Sequence, residues 1–177
     1  LTVKTVGKII KMTVTNFYAN GEILDIHKLD KKNQAHAQLL ETFVLCNDAS
    51  YSVSESTGDP TEIALLAAGY KHGLERPALE IEFPRIGELP FDSDRKLMTT
   101  IHKQDDLYYV MTKGAIDRLL NKCNRILYKN KVVDLTADLR ADILVASHTM
   151  SQAALRVLAA AFKVEEELNL DGAEQGL

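Results

Sequence analysis

A chain of 177 residues, 46% apolar and 26% charged, is long enough to bury a continuous core and too apolar to be disordered. A formal net charge of −4 without a basic stripe excludes the electrostatic footprint of a nucleic-acid binder, so any phosphate ligand must be held by local cations. No window approaches the roughly 18 consecutive apolar residues of a bilayer-crossing helix, and the chain is not expected to be membrane-inserted.

The N-terminal LTVKTVGKIIKMTV lacks the apolar stretch and small-residue cleavage site of a signal peptide. In MTVTNFYANGEIL, Asn20-Gly21 stands between two β-prone runs. A type I′ turn needs positive φ at both central positions, so this is a hairpin. KNQAHAQLLETFVLCND carries Ala35, Leu39, Phe43 and Cys46 at helical spacing and reads as an amphipathic helix with Cys46 packed inside. GDPTEIALLAAGYKHG is the clearest local signal. Asp59 caps, Pro60 suits the first helical position, Glu62 completes a capping box, and Gly73 ends the helix.

LEIEFPRIGELPF mixes strand propensity with proline breaks and reads as an edge strand or winding connection. RKLMTTIHKQDDLYYVMTKG reads as two strands joined at Gln104-Asp105-Asp106. AIDRLLNKC is a short helix, RILYKNKVVDL a hairpin around Asn130, and TADLRADILVASHTMSQAA a helix opened by Thr136. LRVLAAAFKVEE ends the ordered part as one strand, and the tail LNLDGAEQGL is expected to fray.

Strands joined mainly by hairpins and interspersed with helices predict an α+β fold, an antiparallel β-sheet flanked by α-helices. Without repeats or linkers, residues 1–177 read as one domain with a core over about 11–166, taken to be monomeric. Cys46 and Cys123 are far apart and fit reduced thiols. His27, His36, His72, His102 and His148 have no ligand-spaced neighbours, so surface positions are expected and no metal site. There is no GxxxxGK[ST], GxGxxG or GxSxG sequence.

What remains is GDPTE at 58–62, PFDSDRKLM at 90–98, KGA at 113–115 and LRVLA at 155–159. Singly, each has a plain reading: a helix cap, a solvated turn, a strand-to-helix junction, and a strand residue facing water. Phe91 is the odd member, an aromatic ring beside the charged run Asp92, Asp94, Arg95 and Lys96.

Together, in this order and spacing, the four elements resemble the nucleotide-binding domain of cation-pumping P-type ATPases, most of all the calcium-pump branch. The likeness runs from KMTV at 11–14 to LRVLAAAF at 155–162 and includes CNDA at 46–49. It implies that Phe91 stacks on adenine, at about 1–3 kcal/mol by analogy with bases on aromatic platforms. It further implies that Lys96 and Lys113 hold phosphates, that Arg156 completes that rim, and that Glu62 lies near the adenine amino group. Gly114 would let the backbone approach the ligand. Thr61 and Met98, inside the same motifs, complete the implied nucleotide-binding set, with no catalytic residue among them.

The sequence departs from the family pattern at Ser93, where a basic residue is frequent, and at Ile116-Asp117, where Pro-Glu is usual. The DKTGTLT motif with its phosphorylated aspartate is absent, and VKTVGKIIK lengthens the approach to KMTV. The resemblance therefore implies a nucleotide-binding piece of a larger membrane pump, lying on its cytoplasmic side. It would hold ATP, with Mg2+ accompanying the nucleotide, for an aspartate on a separate phosphorylation domain, with an actuator domain as further partner. The chain alone would bind ATP without hydrolysing it. The competing reading is a non-catalytic interaction module on the same scaffold. An independent phosphatase or kinase fails for want of a phosphate loop or catalytic aspartate motif.

Overall fold

A computed structural model describes residues 2–6, 11–153 and 155–177. Leu1, the stretch 7–10 within VKTVGKIIK, and Ala154 at the end of the expected last helix lie outside the described residues. The expected architecture is present: antiparallel sheets with helices packed on them. Strands β1 (Thr2–Val6), β2 (Lys11–Ala19) and β3 (Glu22–Asp25) lead into helix α1 (Gln34–Leu45), the short ribbon β4 (Ser50–Tyr51) and β5 (Ser56–Thr57), and helix α2 (Pro60–Lys71). Helix α3 (Arg76–Glu82) precedes the meander β6 (Arg85–Asp92), β7 (Leu97–Gln104) and β8 (Leu107–Gly114). Then come α4 (Ile116–Leu120), β9 (Arg125–Tyr128), β10 (Lys131–Asp134), α5 (Ala137–Gln152), β11 (Arg156–Val157) and β12 (Ala159–Glu165).

The turn chemistry acts where it was expected. Asn20 and Gly21 have φ of 56° and 89°, and Ala19 pairs with Glu22 across the turn. Lys129 and Asn130 repeat the device at φ 50° and 61° between β9 and β10. Asn33 caps α1, and Asp59 caps α2 by accepting the N–H groups of Thr61 and Glu62. Thr136 does the same for α5 through the N–H of Leu139. At the other end of α2, Gly73 N–H reaches Tyr70 O and Leu74 N–H reaches Gly69 O, the paired bonds of a Schellman stop.

The strands form two four-stranded antiparallel sheets, ordered β11-β1-β2-β3 and β12-β8-β7-β6, with β9-β10 and β4-β5 as ribbons. The first sheet packs Val14 and Phe17 against Leu40 and Phe43 of α1 and Leu65 of α2. Phe17 and Phe43 are fully buried, each contributing about 1.5–3 kcal/mol by removal from water. The second sheet is covered on both faces. Met98 and Met111 pack with Leu45, Cys46, Leu79 and Phe83. Leu97, Ile101 and Val110 pack on the opposite face with Leu119, Ala173 and Leu177.

Several expectations are corrected. The start of LEIEFPRIGELPF is helical, because Pro77 fits the first turn of α3 and the i, i+4 pair Leu79 and Phe83 docks on Met98 and Met111; only 85–92 is the edge strand. LRVLAAAFKVEE is two strands rather than one, since β11 pairs with β1 and β12 with β8. His36 and His102 are buried, not on the surface. His102 lies between Phe83 O and Thr100 Oγ1, both at 2.9 Å, because a neutral imidazole can donate at one nitrogen and accept at the other.

The tail does not fray. Leu177 N–H donates to Lys122 O and Asn124 N–H to Leu177 O, each at 3.0 Å. Lys163 Nζ donates to Gly172 O and Gln175 O, and Ala173 is fully buried.

Candidate functional site

The expected residues fall on two structural units joined by β8. The first is the connection from β6 to β7. The register between these strands slips between Leu89 and Asp92, so Pro90 and Phe91 leave the ladder at the sheet edge. Phe91 is 62% exposed, which an accessible aromatic platform requires. The turn beyond it is organised by Asp92, whose Oδ1 accepts the N–H groups of Asp94 at 3.0 Å and Arg95 at 2.8 Å. The N–H of Arg95, and then that of Asp94, favour the charged carboxylate and hold Asp92 below its ordinary pKa. Lys96 closes the turn at φ 56°, with its N–H on Asp92 O at 2.7 Å. Its side chain is exposed, and its ammonium has no ion-pair partner among the described residues.

The second unit is the start of α2. Met98 on β7 pairs with Lys113 on β8, which puts both side chains on the face toward α1 and α2. Lys113 is 7% exposed, and its ammonium lies 2.5 Å from Glu62 Oε1. Glu62 Oε2 accepts the N–H of Asp48 at 3.2 Å. The expected capping box is therefore corrected: Asp59 caps the helix, while the Glu62 carboxylate turns toward β8 and the CNDA corner. That corner is tied down by Asn47, whose Nδ2 donates to Phe43 O and Glu62 O. Thr61, next along, is buried and accepts at Oγ1 from Arg156 Nη1 at 3.1 Å. Burial pushes the Asp59 carboxyl up. Hydrogen bonds from the Thr61 side chain and from the N–H groups of Thr61 and Glu62 outweigh it, so the pKa lies below its ordinary value.

Gly114 joins the two units. A Cβ at Gly114 would stand 2.1 Å from Lys96 O and 3.0 Å from Leu97 Cα, so it is β7 that a side chain would strike. The chain thus links Phe91 and Lys96, through the Gly114 contact, to Lys113, Glu62, Thr61 and Arg156.

Sequence reasoning missed the arginines around this unit. Arg76 donates to Asn47 O at 2.6 Å, and Arg85 pairs with Asp48 at 2.8 Å. Arg95 pairs with Glu174 from the tail. No local signal marks these contacts, because each spans many residues of sequence. A cavity of about 400 Å³ opens elsewhere, among residues such as Leu39, Leu119, Leu127, Val132, Ile143 and Met150, and none of the expected site residues lines it.

Comparison with known proteins agrees with the motif pattern. Residues 35–175 match the family model described as P-type ATPase, cytoplasmic domain N. The chain is 50% identical over 161 residues to Calcium-transporting ATPase 1 of Bacillus cereus, covering 91% of this chain and 18% of that protein. It is 39% identical over 158 residues to Calcium-transporting ATPase 1 of Lactococcus lactis, covering 86% of this chain and 17% of that protein. It is 28% identical over 151 residues to the sodium/potassium-transporting ATPase subunit alpha-B of Artemia franciscana, covering 73% and 15%. The chain thus spans about a sixth of the length of these curated relatives.

Proposed function

The chain belongs to the P-type ATPase cytoplasmic domain N family, and on that premise we propose that it holds ATP for a cation pump, presenting the γ-phosphate to an aspartate on a separate domain. The observation that carries this reading is Phe91. A ring 62% exposed at the edge of a bulged strand is a poor choice for folding and a suitable shelf for a purine.

Around that shelf the chain has the charges an adenine nucleotide needs. Lys96, on the same turn and free of an ion-pair partner among the described residues, grips phosphate as a point charge. Glu62 accepts from the exocyclic amino group of the base, an acceptor role the carboxylate already fills toward Asp48 and Lys113. Lys113, released from Glu62 as the ligand enters, turns to the phosphates, and Arg156 adds a cation from β11 beside Thr61. Met98, 2% exposed and paired with Lys113 across the β7–β8 ladder, backs the site from the core rather than touching the ligand. Mg2+ would accompany the nucleotide, held by its phosphates.

The chemistry is therefore positioning: base and phosphates are held so that in-line transfer occurs on a neighbouring domain. This chain contributes binding and orientation and hydrolyses nothing by itself. The named relatives favour calcium as the transported ion, with the chain on the cytoplasmic side of a membrane pump.

Titration with ATP, followed by backbone amide shifts, tests the reading. Shifts centred on Phe91, Lys96, Lys113 and Glu62 support it. A spectrum indifferent to ATP overturns it in favour of a non-catalytic module.

A further inference from the structure

The turn that carries Phe91 has a hold that its own strand does not supply. At the bulge between Leu89 and Asp92 the ladder lapses, and Pro90 has no N–H to offer. Arg95 fills the gap. Its Nη2 donates to Pro90 O at 2.5 Å, the carbonyl immediately before the ring, and its Nη1 is paired with Glu174 Oε1. Glu174 is 8% exposed, and the same oxygen accepts from Thr99 Oγ1 at 2.7 Å, which in turn meets Thr112 Oγ1 at 2.9 Å. The carboxylate is thus fixed to the middle of β7 and β8, and the segment carrying it is anchored by Ala173 and Leu177 in the core.

We propose that Glu174 is a positioning residue for the nucleotide site: it fixes the guanidinium of Arg95, which fixes the backbone of Pro90 and Phe91 at the angle a stacked base needs. This rests on the ATP-binding reading above. In this role both residues act through the turn backbone. A solvated arginine on an exposed turn would spend most of its time in other rotamers unless a fixed partner offsets the entropy lost in holding it. Any movement that draws residues 171–177 off the sheet slackens the platform, so base affinity reports the position of the C-terminal segment.

The test uses the full chain, Glu174→Gln, Arg95→Gln and the double variant, with ATP affinity by calorimetry, free-state amide spectra and thermal midpoints. Each single variant is expected to weaken ATP about five-fold or more while folded, with the double variant losing little further, since both act through one contact. The free-state resonances of Phe91, Asp92 and Lys96 are expected to move in both. Should Glu174→Gln fail to fold, Arg95→Gln decides, because that side chain lies on an exposed turn. Lowered midpoints with unchanged affinity and unmoved turn resonances reduce the pair to a structural tie and overturn the proposal alone. Fully additive losses overturn it too. An unmodified chain that ignores ATP overturns the ATP-binding reading and this inference with it.

Discussion

The Glu62 carboxylate and the Lys113 ammonium meet at 2.5 Å across 51 residues of sequence, in a setting where the two side chains are only 17% and 9% exposed. Each neutralises a charge that burial would otherwise penalise, so removing one partner alone is costly, and the pair occupies the groups proposed for the ligand. On the ATP-binding reading proposed above, ligand entry would exchange that contact for others.

Replacing Lys113 with Ala leaves the Glu62 carboxylate half-buried without its cation. The variant is expected to lose about 1–3 kcal/mol of stability, read by denaturant titration. It is also expected to weaken ATP more than adenosine, because only ATP presents phosphates. Equal losses for the two ligands would remove Lys113 from the phosphate end.

Phe91→Ala separates binding from folding. The ring is 62% exposed, so truncation removes little core and the thermal midpoint is expected to stay within error. ATP affinity is expected to fall by more than about 1 kcal/mol. An unchanged dissociation constant would remove the ring from the base site.

Gly114→Ala has the opposite profile. The new methyl would lie 2.1 Å from Lys96 O, and β7 must shift to admit it. Stability is expected to fall by about 1–3 kcal/mol. A variant as stable as the parent would show that the β7–β8 contact yields freely.

Burial holds the imidazole of His102 below its ordinary pKa of 6.5, and His36 is lowered for the same reason. The unfolded chain then binds protons that the folded chain refuses. Stability is complete above about pH 6.5 and declines as pH falls below it toward the folded values. Glu41, pushed up by burial, works in the opposite direction at lower pH, above its ordinary 4.5. Thermal midpoints across this range check the sign. His102→Gln, which keeps a donor and an acceptor, is expected to flatten the dependence.

Local chemistry made much of this protein legible in advance. Asn20-Gly21 specifies its turn through two positive φ angles, and Asp59-Pro60 starts α2 because one residue supplies the acceptor and the other the fixed φ. Where two local signals competed, the text misled. Residues 79–83 carry strand-prone side chains, yet Pro77 starts a helix whose Leu79 and Phe83 find a core on β7 and β8. His102 gave no sign of burial, because the groups that satisfy it include Phe83 O, 19 residues away.

The sequence by itself determined where the chain turns and where its clearest helices start, since caps, turns and side-chain chemistry act over a few neighbouring positions. Only the tertiary structure decided that Glu62 faces Lys113, that Gly114 yields space to β7, and that Glu174 reaches Arg95 from 79 positions away. Those outcomes depend on how sheets and helices close on one another, and closure is set by the sum of burial over the whole chain rather than by any short stretch.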